Sequence, residues 1–309
     1  MNWNFSDFVE IQDVCPRDGL QMETNIISTD KKVELINALS NTGISAIQVT
    51  STVHPKAVPQ LSDAEEVMEK INRKPGVSYS VLVPNERGAE RAIPMKADEW
   101  ELMLSVTESH SLSNANKTVD EGIKEHERVA RLAKKNGDIK IRGAMATAFG
   151  CPFEGKVPFE NILYVAQAYY SMGIRSMAVA DTIGTADPKL VYTVMEKLKN
   201  HFPDVAFSLH LHNTRGLAIA NILAGIDAGV RSFDAALGGI GGCPFAPGAT
   251  GNVATEDVVH MLDLMGINNG IHLRDLLETA NELKQTVDHD LDSAVYRAGP
   301  SHSRLSTLK

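Results

Sequence analysis

Apolar runs of strand length alternate with segments of helical period almost from one end of the chain to the other. The strand-like runs fall at residues 9–14, 46–50, 79–83, 101–106, 140–146, 176–180, 206–212 and 232–236. Helix-like segments lie between them, at 31–41, 63–72, 86–95, 119–135, 160–171, 188–201, 217–228 and 255–264. Eight such alternations with short connections predict an α/β fold, a closed parallel (β/α)8 TIM barrel rather than an open sheet. Gly43, Gly76, Gly137, Gly173 and Gly229 stand where helices hand over to strands, each able to form a left-handed cap without a Cβ penalty. One domain is expected over 1–309, with the barrel at about 8–266 and a C-terminal helical extension at about 267–309. The extension opens with an amphipathic pattern at 272–286, and its last residues are expected to be loosely ordered.

Composition narrows the function classes. The 309 residues are 43% hydrophobic and 22% charged, as in soluble globular proteins, and one such barrel takes about 250 residues. Cys15, Cys151 and Cys243 are odd in number and widely spaced, which fits neither a disulfide framework nor a zinc knuckle. A reducing, cytoplasmic location is expected. The first seven residues lack a signal-peptide pattern, and no apolar run approaches the ~18 residues of a membrane span. The net charge of −9 comes without a basic stripe, so neither nucleic acid nor membrane is an expected partner. An anionic ligand would then need positive charge gathered locally by a metal or a few basic side chains.

Barrel enzymes place their chemistry at the C-terminal ends of strands, and unusual polar residues occur there. The first strand runs into Pro16-Arg17-Asp18-Gly19, the second contains Gln48, and the sixth ends in Asp181-Thr182. The seventh ends in His210-Leu211-His212-Asn213, and the loop after the eighth carries Gly241-Gly242-Cys243-Pro244 and then Gly251-Asn252. Residues two apart on a strand share a face, so His210 and His212 can project together into the barrel mouth. Imidazole binds first-row metals, and a carboxylate such as Asp18 completes a mixed nitrogen and oxygen set. The alternative for such a pair is a hydrogen-bonded strand end.

With Asp18 and the Asn252 amide added, the set suits Mg²⁺ or Mn²⁺, and two histidines also accept Zn²⁺ or Co²⁺. Arg17 either holds its neighbouring carboxylate or stabilises an enolate or carboxylate oxygen beside a cation. Cys243 is either inert packing or, in a glycine-rich loop over the mouth, a proton donor or acceptor. The glycine run is not a P-loop, because no Lys-Ser/Thr follows it.

Taken together, these residues resemble the 3-hydroxy-3-methylglutaryl-CoA lyase family, which is related to the homocitrate and isopropylmalate synthases. The likeness rests on Pro16-Arg17-Asp18-Gly19-Leu20-Gln21, Asp181-Thr182-Ile183-Gly184, the His210/His212 pair and the run from Gly241 to Asp257. The cysteine loop separates the lyases from the condensing synthases. The resemblance implies a metal-dependent carbon–carbon lyase that cleaves 3-hydroxy-3-methylglutaryl-CoA to acetyl-CoA and acetoacetate. It implies Mg²⁺ or Mn²⁺ on Asp18, His210, His212 and Asn252, an acyl-CoA substrate and a homo-oligomer, a dimer. It implies a catalytic set of Arg17, Cys243, His210 and Asp181, with Arg17 and Gln21 against substrate; Gln48, at the position of a family glutamate, and Arg215 are added to these two groups as candidates of this chain. In that set Cys243 protonates the product carbon. His210 doubles as ligand and proton carrier, with Asp181 as its acid–base or orienting partner.

Departures from the family pattern bear on the acyl group. Gln48 stands where the family carries a glutamate, and an amide cannot act as a base. Asn213-Thr214-Arg215 replaces Asp-Thr-Tyr, so Arg215 either binds an extra substrate carboxylate or is a solvated surface residue. His54 and His110 are read as local pocket variants rather than ligands. Competing readings are the same cleavage on another branched 3-hydroxyacyl-CoA, citramalyl-CoA-like or isoprenoid-derived, and a non-catalytic CoA-binding barrel.

Overall fold

The computed structural model of the chain describes residues 7–242 and 251–301. Eight strands, all parallel, close into a barrel in chain order: β1 (Glu10–Asp13), β2 (Ala46–Ser51), β3 (Ser78–Leu82), β4 (Glu99–Ser105), β5 (Lys140–Ala146), β6 (Ser176–Asp181), β7 (Ala206–Leu211) and β8 (Ser232–Ala235). Pairing of Glu10 with Ser232 through Asp13 with Ala235 joins β1 to β8 and closes the ring. Around it lie α1 (Thr29–Asn41), α2 (Ala64–Lys70), α3 (Glu86–Ala92), α4 (Glu108–Ala115), α5 (Val119–Lys135), α6 (Phe159–Ser171), α7 (Pro188–His201), α8 (Ala218–Asp227) and α9 (Thr255–Leu264). The expected extension continues as α10 (Leu273–Thr286), which packs against α1 and α9, and the short α11 (Ala294–Ala298). Among the described residues, no helix is long and apolar enough to cross a membrane.

Local chemistry explains most boundaries. Thr118 caps α5 by accepting from the Glu121 amide at 3.2 Å while the Glu121 carboxylate accepts from the Thr118 amide at 2.9 Å. All five glycines expected to cap helices have positive φ. Several element ends shift by a few residues, and two differences stand out. Helix α4 lies in a Ser-His-Ser stretch with little apolar periodicity, so no helical stripe betrays it. The strand expected to run to residue 212 leaves its ladder at Leu211, and His212 forms a separate antiparallel bridge with Asn252.

Strand alternation sorts the core into two layers. Leu209 of β7 and Phe233 of β8 lie against Gly225 of α8, and Leu104 of β4 lies against Gly122 of α5. His210 and Asp234, one residue on, and Glu101, three residues from Leu104, have the opposite parity and point into the barrel. The interface between strands and helices is apolar, with Trp100, Tyr79, Tyr169 and Phe233 fully buried. The barrel interior is where the buried charges collect.

Candidate metal and active site

The chain leaves β1 through a single wide π-type turn, Cys15–Gly19, in which the Val14 carbonyl accepts from the amides of Arg17, Asp18 and Gly19. Turns of this kind gather side chains at functional sites. Here the turn is braced from below: Asp13 accepts from the Cys15 amide at 2.8 Å and from the Thr255 hydroxyl at 2.7 Å. Arg17 and Asp18 are consequently buried together at the mouth, bonded to one another. The Arg17 Nε donates to Gln48 Oε1 on β2, and Gln21 Nε2 donates to Asp18 Oδ1 at 2.9 Å.

Two strands round the ring from β1, β7 carries His210, and His212 follows just after its last residue. Residues 251–255 run back as a short rung between the ends of β7 and β8, with Asn213 N on Gly251 O, Val253 N on Leu211 O and Ala236 N on Val253 O. This rung sets Asn252 beside His212, and its amide Nδ2 donates to Asp18 Oδ2 at 2.9 Å and to the Ile240 carbonyl at 3.2 Å. Gly251, at φ +80°, admits no side chain: a Cβ there would lie 2.5 Å from the Gly241 carbonyl carbon. Gly241 and Gly251 thus meet at the base of the loop that carries Cys243, which itself lies outside the described residues.

Asp18, His210 and His212 form a group whose ligand atoms fall within 4.8 Å of one another. Asp18 Oδ2 lies 3.8 Å from His210 Nε2 and 3.9 Å from His212 Nε2, and the two Nε2 atoms are 3.2 Å apart. Ligand bonds of about 2.0–2.2 Å place neighbouring ligand atoms roughly 3–3.5 Å apart, close to the separations found. Protonation supports the same conclusion. A carboxylate and two facing ring nitrogens are three acceptors with at most a shared proton between them, while among the described residues the buried Nδ1 of His212 has no hydrogen-bond partner. The residues present fit a divalent cation.

Charge around the cluster is strongly polarised. Burial alone would raise the Asp18 carboxyl, but Arg17, the two histidines and the Asn252 amide bring it down to about 2, so it stays an anion. Burial, reinforced by His210, lowers His212 to about 4, which keeps its ring neutral. Burial would also lower His210, yet its hydrogen bond to Asp234 and the Asp18 charge raise it. Asp234 Oδ2 lies 3.2 Å from His210 Nδ1.

The expected site residues do not all converge in the expected way. Arg17, Asp18, Gln21, Gln48, His210, His212 and Asn252 share one constellation at the mouth. The two carboxylate oxygens of Asp181 accept from the Thr185 and Ala186 amides, each at 2.9 Å, and the carboxylate that meets His210 Nδ1 is that of Asp234. Burial raises the Asp181 carboxyl despite those two amides. Arg215 is exposed, and its Nη1 donates to the carbonyls of Ile183 and Gly184, where it ties down the loop after β6. His54 binds the Lys56 amide in a local turn and His110 binds Ser105 Oγ, so both serve neighbouring structure. Asp234 was not among the expected residues, although a lone aspartate in Ser-Phe-Asp-Ala, with the inward parity of a barrel strand, is its sequence signal.

A model of the HMGL-like family matches residues 8–283. The chain is 42% identical over 285 residues to the hydroxymethylglutaryl-CoA lyase of Bacillus subtilis, covering 92% of this chain and 95% of that one. It is 39% identical over 290 residues to the mitochondrial hydroxymethylglutaryl-CoA lyase of Homo sapiens, covering 94% and 89%. Among solved structures it is similar to an HMG-CoA lyase from Acinetobacter baumannii in complex with coenzyme A and 3-methylmalate. That match has a TM-score of 0.94 and 41% identity, and it covers 99% of each chain.

Proposed function

The chain belongs to the HMGL-like family, and from that premise we propose that it is a divalent-metal-dependent lyase cleaving 3-hydroxy-3-methylglutaryl-CoA to acetyl-CoA and acetoacetate. The observation that carries this reading is the Asp18–His210–His212 group at the C-terminal mouth of the barrel, Asp18 and His212 buried and His210 partly so, with Arg17 against it. The comparisons support a carbon–carbon lyase acting on an acyl-CoA.

Asp18, His210, His212 and the Asn252 amide would hold the cation, and this oxygen-containing set favours Mg²⁺ or Mn²⁺. When bound, the metal supplies Lewis acidity toward the substrate's C3 hydroxyl. One nitrogen cannot be ligand and proton carrier at once. Because His210 Nδ1 faces Asp234, we give His210 the ligand role and assign the hydroxyl proton to Asp181, whose carboxyl is raised by burial. Loss of that proton forms the ketone of acetoacetate as the C2–C3 bond breaks, and the bond's electron pair moves into the thioester as an enolate. Arg17, whose Nε donates to Gln48, would neutralise the enolate oxygen through its guanidinium. Cys243 then delivers a proton to C2, completing acetyl-CoA.

The test is product analysis. Purified protein with Mn²⁺ or Mg²⁺ is expected to convert 3-hydroxy-3-methylglutaryl-CoA to equimolar acetyl-CoA and acetoacetate. Faster cleavage of citramalyl-CoA or of an isoprenoid-derived hydroxyacyl-CoA would move the assignment to that acyl group.

A further inference from the structure

Beneath the Asp18 cluster the barrel interior holds a second set of charged side chains. Arg142 of β5 donates through Nη2 to Asp234 Oδ1 on β8 at 2.7 Å and to Ser208 Oγ on β7 at 2.6 Å. The other oxygen of Asp234 meets Nδ1 of His210 at 3.2 Å. Arg142 Nη1 lies 3.6 Å from Glu101 Oε1 on β4, which accepts from Ser80 Oγ at 2.8 Å and from Gln12 Nε2. Every member of this set is buried, and together they draw on six of the eight strands.

The cation invoked here is that of the proposed lyase reading, while the residues rest on the geometry alone. We propose that Asp234 and Arg142 are positioning residues. Arg142 clamps Asp234, and Asp234 holds His210 with its proton on Nδ1 and its Nε2 lone pair turned toward the cation site.

The available donors decide the tautomer. A carboxylate only accepts, so an Asp234–His210 hydrogen bond requires the proton on Nδ1, and a neutral ring then presents a bare Nε2. Nε2 is the atom that faces Asp18 Oδ2 and His212 Nε2. Register reinforces the placement, because His210 pairs directly with Asp234 across β7 and β8. Asp234 in turn cannot swing away, since turning it breaks a buried, charge-assisted bond to Arg142 and strands both charges. Glu101 and Ser208 hold Arg142 from two further strands, so a rigid chain of contacts links the barrel centre to the ligand ring. Such outer partners fix ligand tautomer and direction, and their loss costs about 10–100-fold in metal affinity.

Two measurements on the whole chain test this. Nitrogen NMR of histidine-labelled, metal-free protein reads the His210 tautomer, and calorimetric titration with Mn²⁺ reads affinity in Asp234→Asn, Arg142→Lys and Ser208→Ala, with thermal unfolding followed for each. The expected tautomer carries its proton on Nδ1. Asp234→Asn is expected to bind Mn²⁺ about 10–100-fold more weakly, Arg142→Lys to fall between it and the parent, and Ser208→Ala to stay within about twofold of the parent. A neutral ring with its single proton on Nε2, read at a pH above the titration of His210, would overturn the proposal. So would Asp234→Asn and Arg142→Lys both binding within about twofold of the parent. A purely structural role would lower the unfolding temperature and leave the tautomer unspecified. The tautomer is read without metal or substrate, so a parent that cleaved no thioester would count against the lyase reading alone.

Discussion

The Asn252 amide donates to Asp18 Oδ2 at 2.9 Å and so joins two positions 234 residues apart in the chain. One stands in the turn after β1 and the other in the rung that follows the cysteine loop. Asp18 therefore sits between an arginine, two imidazoles and the amides of Asn252 and Gln21, all favourable to its ionised form.

Replacing that carboxylate tests the ligand assignment. Asp18→Asn keeps the size of the side chain and removes the charge. Mn²⁺ affinity measured by calorimetry is expected to fall by more than the roughly 10–100-fold that loss of an outer partner costs. Unchanged affinity in a folded variant would remove Asp18 from the ligand set.

Arg17 is assigned to charge that develops only as the carbon–carbon bond breaks. Arg17→Gln is expected to lower kcat by about 10²–10³-fold, the scale for losing a preorganised oxyanion donor, with a smaller change in KM. A rise in KM at constant kcat would make Arg17 a substrate anchor instead.

Gly251 is required by close approach. Its φ of +80° and the 2.5 Å that would separate a Cβ from the Gly241 carbonyl carbon leave no room for alanine. Gly251→Ala is expected to displace Asn252 and lower kcat/KM by on the order of 10²-fold, the scale for roughly 1 Å misplacement of a catalytic group. Circular dichroism is expected to stay that of the parent, because the eight-stranded ring does not run through this rung.

Beneath the turn, two buried carboxyls make stability depend on pH. Burial raises Glu256 from 4.5 to about 8 and Asp13 from 3.8 to about 7. The folded state then holds protons that the unfolded chain releases between about pH 4 and 8, so stability falls as pH rises through that window. The contribution is complete below the unfolded values and lost above the folded ones. Unfolding temperature is expected to drop between pH 5 and 8 at about these values, and Glu256→Gln to flatten the slope. A slope of opposite sign would refute the assignment.

The barrel was legible because period-two and helical patterns alternate cleanly. Strand β5 and helices α5, α7 and α9 begin and end at the residues their patterns predict. Helix α4 was not, since its serines and histidine carry no apolar stripe and its place is set by tertiary packing. The candidate ligands were legible because polar residues at strand ends stand out from apolar runs. Asp181 and Arg215 show the limit of that logic. Both are polar and lie at the mouth, and each also takes backbone partners: amides donate to the Asp181 carboxylate, which keeps lone pairs for a further proton, and carbonyls hold the Arg215 guanidinium. Which partner a side chain takes depends on loop conformation, which the residue pattern does not encode. Asp234 and Arg142 lie mid-strand, where their pairing across the barrel appears only once the ring is closed.

The most direct test of the central claim is release of acetyl-CoA from 3-hydroxy-3-methylglutaryl-CoA, followed with Mg²⁺ or Mn²⁺ and again with a chelator. Metal-supported release that the chelator stops and added metal restores is the predicted result. A folded, metal-supplied protein that releases no acetyl-CoA, or one whose release is undiminished in chelator, would contradict it.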